Sequence, residues 1–134
     1  MTKITQNTGF DASHRLLGYE GSCRNLHGHF WGVLIELESK RNFDQCGMLL
    51  DYRTIKNYIK STFDHRAILN ENDPLVPLLI GLDLDVTTMP GNPTAENIVR
   101  KIISDIVLLA NLKDDDYLHV VVKESADNSA EEWY

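Results

Sequence analysis

His27-Gly-His29-Phe-Trp31-Gly-Val33-Leu-Ile35-Glu-Leu37 is the stretch that decides how this chain is read. His29, Trp31, Val33, Ile35 and Leu37 alternate with Phe30, Gly32, Leu34, Glu36 and Glu38. One face of an extended segment is then almost wholly apolar and the other partly polar, which is the pattern of a strand with one side on a core. At its start His27 and His29 stand two residues apart, so on an extended backbone both imidazoles leave the same side. Cys23 lies four residues before His27. With 5 His in 134 residues, about 0.2 His-x-His pairs are expected by chance. Requiring one of the two cysteines at a fixed offset lowers that to about 0.003.

Working outward, Phe10, Ala12 and His14 alternate in the same way and predict a second strand. Asp51 is a suitable N-cap for a helix whose buried stripe is Tyr52, Ile55, Ile59 and Phe63. Thr94, preceded by Pro93 and followed by Glu96 in the first turn, caps a second helix with Ile98, Ile102, Ile106 and Leu109 inward. Tyr117 to Glu124 alternates again, and Ser129 to Tyr134 supplies a last strand. The connection from Asn70 to Pro93 is too long for a bare loop, so Leu75 to Leu82 is expected to form a short helix or a packed arm. The order ββααββ predicts an α+β fold: an antiparallel four-stranded sheet with two main helices on one side.

A chain of 134 residues with 43% hydrophobic and 25% charged residues fits one domain, 1–134. No stretch nears the roughly 20 apolar residues that cross a bilayer, and Met1-Thr-Lys-Ile-Thr-Gln has no apolar signal core. A cytoplasmic protein with reduced thiols is expected, and no membrane partner. The formal charge of -7 argues against a general nucleic-acid binder, because phosphate backbones are held by clustered cations. Any anionic ligand has to meet a local positive patch. Arg15, Arg24 and Arg66 each follow a candidate site residue and are candidates to line one.

Catalytic zinc keeps three protein ligands and one open position. His27 and His29 supply two, and His14 is preferred over His65 and His119 as the third because its strand can lie beside the one that begins at His29. Cys23 completing a closed CysHis₃ structural site is the alternative. Asp64-His65, at the end of the first helix, could shuttle a proton or simply cap that terminus. Glu124 shares a strand face with Val122, so it either points inward to a partner or turns to water. His119 is given no role, and Cys46 is read as a loop residue.

Phe10-Asp-Ala-Ser-His14-Arg-Leu, Cys23-x-x-x-His27-Gly-His29, Gly47-Met-x-x-Asp51, Asp64-His65, Pro93-Thr94-x-Glu96 and Lys123-Glu124 occur in that order. From about residue 8 to about residue 125 the chain therefore resembles the 6-pyruvoyltetrahydropterin synthase / 6-carboxytetrahydropterin synthase family. The short interval from Cys23 to His27 is similar to that of the bacterial carboxytetrahydropterin synthases of the queuosine (7-deazaguanine) pathway. The resemblance implies a tunnelling fold (T-fold) in which subunits join sheets into a barrel, as a homo-oligomer, commonly a hexamer built as a dimer of trimers. It implies 7,8-dihydroneopterin triphosphate as the pterin substrate and Zn²⁺ held by His14, His27 and His29. It also implies Cys23 as proton acceptor, Asp64 and His65 as its activating or relay pair from a neighbouring subunit, Glu124 on the pterin edge and in the relay, and a Thr94 backbone contact to the pterin. The product is expected to be 6-carboxytetrahydropterin, with triphosphate and acetaldehyde released. The competing expectations are 6-pyruvoyltetrahydropterin formation or a related side-chain cleavage, and a non-catalytic, metal-stabilised binding protein. Two features depart from the family: the long Asn70 to Pro93 connection and the final strand.

Overall fold

Two long antiparallel strands form the spine of the molecule, whose computed structural model describes residues 1–134. The elements run β1 (Thr2–His14), β2 (His27–Ser39), α1 (Tyr52–Phe63), β3 (Arg66–Asn70), α2 (Leu75–Gly81), β4 (Val86–Met89), α3 (Ala95–Leu109), β5 (Tyr117–Lys123) and β6 (Ser129–Trp133), with a single 3₁₀ turn at Ser22–Arg24. β1 and β2 pair along their full lengths, with Phe10 opposite Trp31, Ala12 opposite His29 and His14 opposite His27. β5 pairs antiparallel with β2, and β6 with β5.

The fold is α+β, but three details of the expected arrangement are corrected. The sheet has six strands rather than four, in the order β4-β3-β1-β2-β5-β6. It is mixed rather than antiparallel, because β3 joins β1 in parallel and β4 joins β3 in parallel. The element order is not ββααββ, because β3, α2 and β4 lie between α1 and α3. The common cause lies in the Asn70 to Pro93 connection, which is a strand-helix-strand crossover of the kind a parallel pair requires. With five and four residues, β3 and β4 are too short for any alternation to register. The short helix expected from Leu75 is present as α2.

One face of the sheet carries the core. Ile55, Ile59 and Phe63 of α1 and Ile98, Ile102 and Ile106 of α3 are buried against Phe10, Trp31, Val33, Ile35, Leu37, Leu118, Val120 and Val122. Tyr52 and Leu109, expected to extend the two helical stripes, stand at helix ends and are exposed. Phe10 stacks between Trp31 and Phe63, with ring centroids 5.9 and 4.9 Å away. Burying each of these large side chains contributes roughly 1.5–3 kcal/mol. Both expected caps form: Asp51 accepts from the Arg53 N–H at 2.9 Å, and Thr94 Oγ1 from the Asn97 N–H at 3.2 Å.

The opposite face of the sheet is not covered by α1 or α3. There His119 places Nδ1 2.8 Å from Glu36 and Nε2 2.8 Å from Glu131, and its ring stacks on Trp133 at 4.8 Å. Lys3 is 2.6 Å from Glu36. Both ring nitrogens face carboxylates, so the ring is held as an imidazolium. Burial opposes that charge, but the Glu36 and Glu131 carboxylates outweigh it and raise the pKa of His119. No helix is long and apolar enough to cross a membrane.

Candidate functional site

The register of β1 and β2 builds the site. Because His14 is paired with His27, and Ala12 with His29, three imidazoles leave the same face at one end of the two strands. Burial falls off along β2 from Trp31, which is fully buried, to the half-buried His29 and His27, so the rings sit at the rim of the core. Ring centroids are 4.5 Å apart for His14 and His27, 5.1 Å for His14 and His29, and 4.9 Å for His27 and His29. One nitrogen from each ring lies within 4.8 Å of the other two. Trp31 forms the floor, with its ring centroid 4.8 Å from that of His14 and 5.5 Å from that of His29.

Hydrogen bonds aim these rings. The carbonyl of Pro93 is 2.8 Å from His14 Nδ1, and the carbonyl of Asn25 is 2.7 Å from His27 Nδ1. A carbonyl only accepts, so Nδ1 of each ring is a donor, and the neutral tautomer it selects leaves Nε2 as the free lone pair. His14 Nε2 and His29 Nε2 are buried without a hydrogen-bond partner. Buried polar atoms are ordinarily satisfied, and two convergent orphans of this kind fit a metal ion. Burial lowers the pKa of His14, and His27 and His29 push in the same direction against the Pro93 bond and Glu124. The ring is therefore neutral near pH 7, the form that ligates metal.

Glu124 follows the last residue of β5 and points inward, with Oε1 3.4 Å from His29 Nε2. That is ion-pair distance, but the contact fails the alignment of a hydrogen bond, so His29 Nε2 remains without a partner. Cys23 is half-buried in the 3₁₀ turn, whose carbonyl accepts from the Leu16 N–H at 2.9 Å and so ties the turn to the end of β1. Its sulfur is not a member of the three-imidazole group, and both Cys23 and Cys46 are free thiols.

Asp64 and His65 pair with each other, Nδ1 to Oδ2 at 2.9 Å, at the C-terminus of α1. Asp64 also accepts from the Asp11 N–H at 3.0 Å, and the His65 N–H donates to the Asp11 carbonyl at 2.7 Å. These contacts, first the Asp11 bond and then His65, hold the Asp64 carboxyl below its ordinary pKa. His65 adopts a left-handed backbone, φ 57°, and its side chain is 78% exposed. It lines a cavity of about 600 Å³ together with Asp11, Ser13, Phe30 and Arg66, and that cavity reaches His29 of the imidazole triad. Within one chain the pair makes no hydrogen bond to the imidazoles, although His65 and His29 line the same cavity.

Thr94 caps α3 one residue beyond the carbonyl that holds His14, and its own N–H donates to the Asn92 carbonyl at 2.9 Å. Of the three arginines, Arg15 is committed to Asp73 in a two-pronged bond of 2.7 and 2.5 Å. Arg66 lines the 600 Å³ cavity and Arg24 is exposed. The Pro93 carbonyl, 79 residues from His14, and the Asn25 carbonyl carry no signal in spacing or composition.

The family model for 6-pyruvoyl tetrahydropterin synthase matches residues 3–133. A 6-carboxy-5,6,7,8-tetrahydropterin synthase of Rickettsia typhi is 35% identical over 79% of this chain and 80% of its own length. One from Haemophilus influenzae is 28% identical over 90% of this chain and 88% of its own. Among solved structures, an uncharacterized protein of Wolinella succinogenes superposes with a TM-score of 0.73 at 23% identity, covering 98% of this chain and 97% of that one. The 6-pyruvoyl tetrahydropterin synthase of Plasmodium falciparum gives 0.67 at 19% identity, covering 99% and 97%. At these identities the two structures speak to the fold.

Proposed function

The chain belongs to the 6-pyruvoyl tetrahydropterin synthase family, and from that premise we propose that it is a zinc-dependent lyase acting on a pterin side chain. The reaction is conversion of 7,8-dihydroneopterin triphosphate and one water to 6-carboxy-5,6,7,8-tetrahydropterin, with release of acetaldehyde and triphosphate, as a step toward 7-deazaguanine and queuosine. The observation that carries the reading is the triad of imidazoles with two buried, unpartnered Nε2 atoms beside Glu124. The names of the Rickettsia and Haemophilus relatives favour the carboxy product over the pyruvoyl one.

In this reading His14, His27 and His29 would hold the ion. Zinc held there would supply Lewis-acid polarisation of substrate oxygens. Cys23 accepts the proton removed from the substrate side chain, and its place outside the three-imidazole group leaves the sulfur free to do so. Glu124 receives the pterin's amino and ring N–H donors as a charge-assisted, two-pronged pair, strong and directional. Thr94, at the capped start of α3, borders the pterin through its backbone. The Asp64–His65 pair relays protons to a site on an adjoining subunit, in keeping with the exposure of His65 and with the pair's making no hydrogen bond to its own chain's imidazoles. The active assembly is a homo-oligomer, a dimer of trimers.

The deciding experiment is incubation of the zinc-loaded protein with 7,8-dihydroneopterin triphosphate and mass analysis of every fragment. Acetaldehyde and 6-carboxytetrahydropterin support the reading. A pterin that keeps its three-carbon side chain identifies the pyruvoyl reaction instead, and unchanged substrate identifies a binding protein.

A further inference from the structure

The His14 ring is aimed by a carbonyl that has to be aimed itself. Pro93 is buried, and its ring fixes φ while confining Asn92 before it to extended backbone. The rest of the aiming falls to the side chain of Asn92. Its Oδ1 accepts from the Leu17 N–H at 2.9 Å and its Nδ2 donates to the Leu17 carbonyl at 3.0 Å, a two-way clasp on the segment that leaves β1 three residues after His14. Asn70 Nδ2 also donates to that Oδ1 at 3.3 Å. On its main chain, the Asn92 carbonyl accepts from Asn97 Nδ2 at 2.8 Å and from the Thr94 N–H. One residue thus ties together the exit of β1, the end of β3 and the first turn of α3, and its neighbour's carbonyl meets the buried ring.

We propose that Asn92 is a positioning residue for the metal centre: by clasping Leu17 it directs the Pro93 carbonyl at His14 and fixes that ring with its proton on Nδ1 and Nε2 turned to the ion. The proposal rests on the reading of the three imidazoles as a metal site. Groups just outside a metal's ligands typically change affinity 10- to 100-fold, and Asn92 acts through one intervening residue, so a loss of about 10-fold is expected.

The test uses full-length Asn92→Ala and Asn92→Asp, the second keeping an acceptor for the Leu17 N–H while losing the donor to its carbonyl. Nitrogen-15 NMR of the metal-free protein, well above the ordinary imidazole pKa of about 6.5, reports each ring's tautomer. Zinc affinity is measured by chelator competition. In the wild type both His14 and His27 are expected as Nδ1–H. In Asn92→Ala, His14 becomes a mixture of tautomers while His27, held separately by Asn25, stays unchanged, and zinc affinity falls about 10-fold. Asn92→Asp falls between, and it carries the test if the alanine variant does not fold. An unaltered His14 tautomer or unaltered affinity in the variants overturns the proposal. So does equal loosening of His27, which would mark general slackening rather than positioning. Wild type and His14→Ala binding zinc equally weakly would instead remove the metal reading itself, whereas tight wild-type binding with indifferent variants removes only the role of Asn92.

Discussion

Replacing His27 by alanine separates metal binding from folding. His27 is the first residue of β2, half-buried, and its one ring hydrogen bond goes to the Asn25 carbonyl in an exposed turn. Its removal opens no cavity in the core and costs one such bond, about 0.5–1.5 kcal/mol. For a chain of this size that lowers the metal-free melting temperature by roughly 2–6 °C. The effect on zinc is far larger. If four ligands share the roughly 10–16 kcal/mol typical of a zinc site, each accounts for about 3–4 kcal/mol, and losing one weakens binding by a factor of about 10²–10³. Zinc at about 1,000 times the wild-type Kd stabilises the wild type by about 4 kcal/mol, and the variant at the same concentration by only about 0.4–1.4 kcal/mol. In calorimetry the wild type should gain about 12–16 °C on adding zinc and the variant no more than about 6 °C. Equal zinc-dependent shifts in the two proteins would refute the reasoning.

Cys23→Ala is expected to fold and to bind zinc as the wild type does while turnover falls at least about 100-fold, checked by acetaldehyde release. Asp73→Ala strands the guanidinium of Arg15 and removes an acceptor used by the Leu75 N–H at the start of α2. Because Arg15 is partly exposed, a destabilisation of about 2–4 kcal/mol is expected in urea unfolding, below the range for a fully buried pair. His119 has a raised pKa in the folded state, so the stability it contributes is fully present below the unfolded value of about 6.5 and is lost as pH rises through the folded value. His119→Ala should therefore flatten the pH dependence of the melting temperature on the alkaline side of about pH 6.5, and an unchanged slope there would count against the pairing of His119 with Glu36 and Glu131.

What could be read from the sequence follows the range of the interactions involved. The alternation of β2, the stripes Ile55-Ile59-Phe63 and Ile98-Ile102-Ile106, and the caps Asp51 and Thr94 are local patterns, and each reappears in the fold. His-x-His on a strand was legible for the same reason, and the choice of His14 needed only the pairing of two neighbouring strands. β3 and β4 were not legible because short strands in a parallel crossover are held by non-local pairing, not by their own alternation. The Pro93 carbonyl on His14 was hidden by sequence distance, and the commitment of Arg15 to Asp73 required β3 to pair in parallel with β1, which brings the turn after Asn70 beside the end of β1. Asp64-His65 was visible as a pair, but nothing local indicated that the Asp11 main chain holds it or that His65 and His29 line one cavity.

X-ray absorption at the zinc edge of the loaded protein tests the central claim most directly, because it counts the ligands without reference to any reaction. Three imidazole nitrogens near 2.0–2.1 Å with one further light-atom ligand, and no sulfur, is the expected shell. A zinc–sulfur distance near 2.3 Å would place Cys23 on the metal and contradict the account.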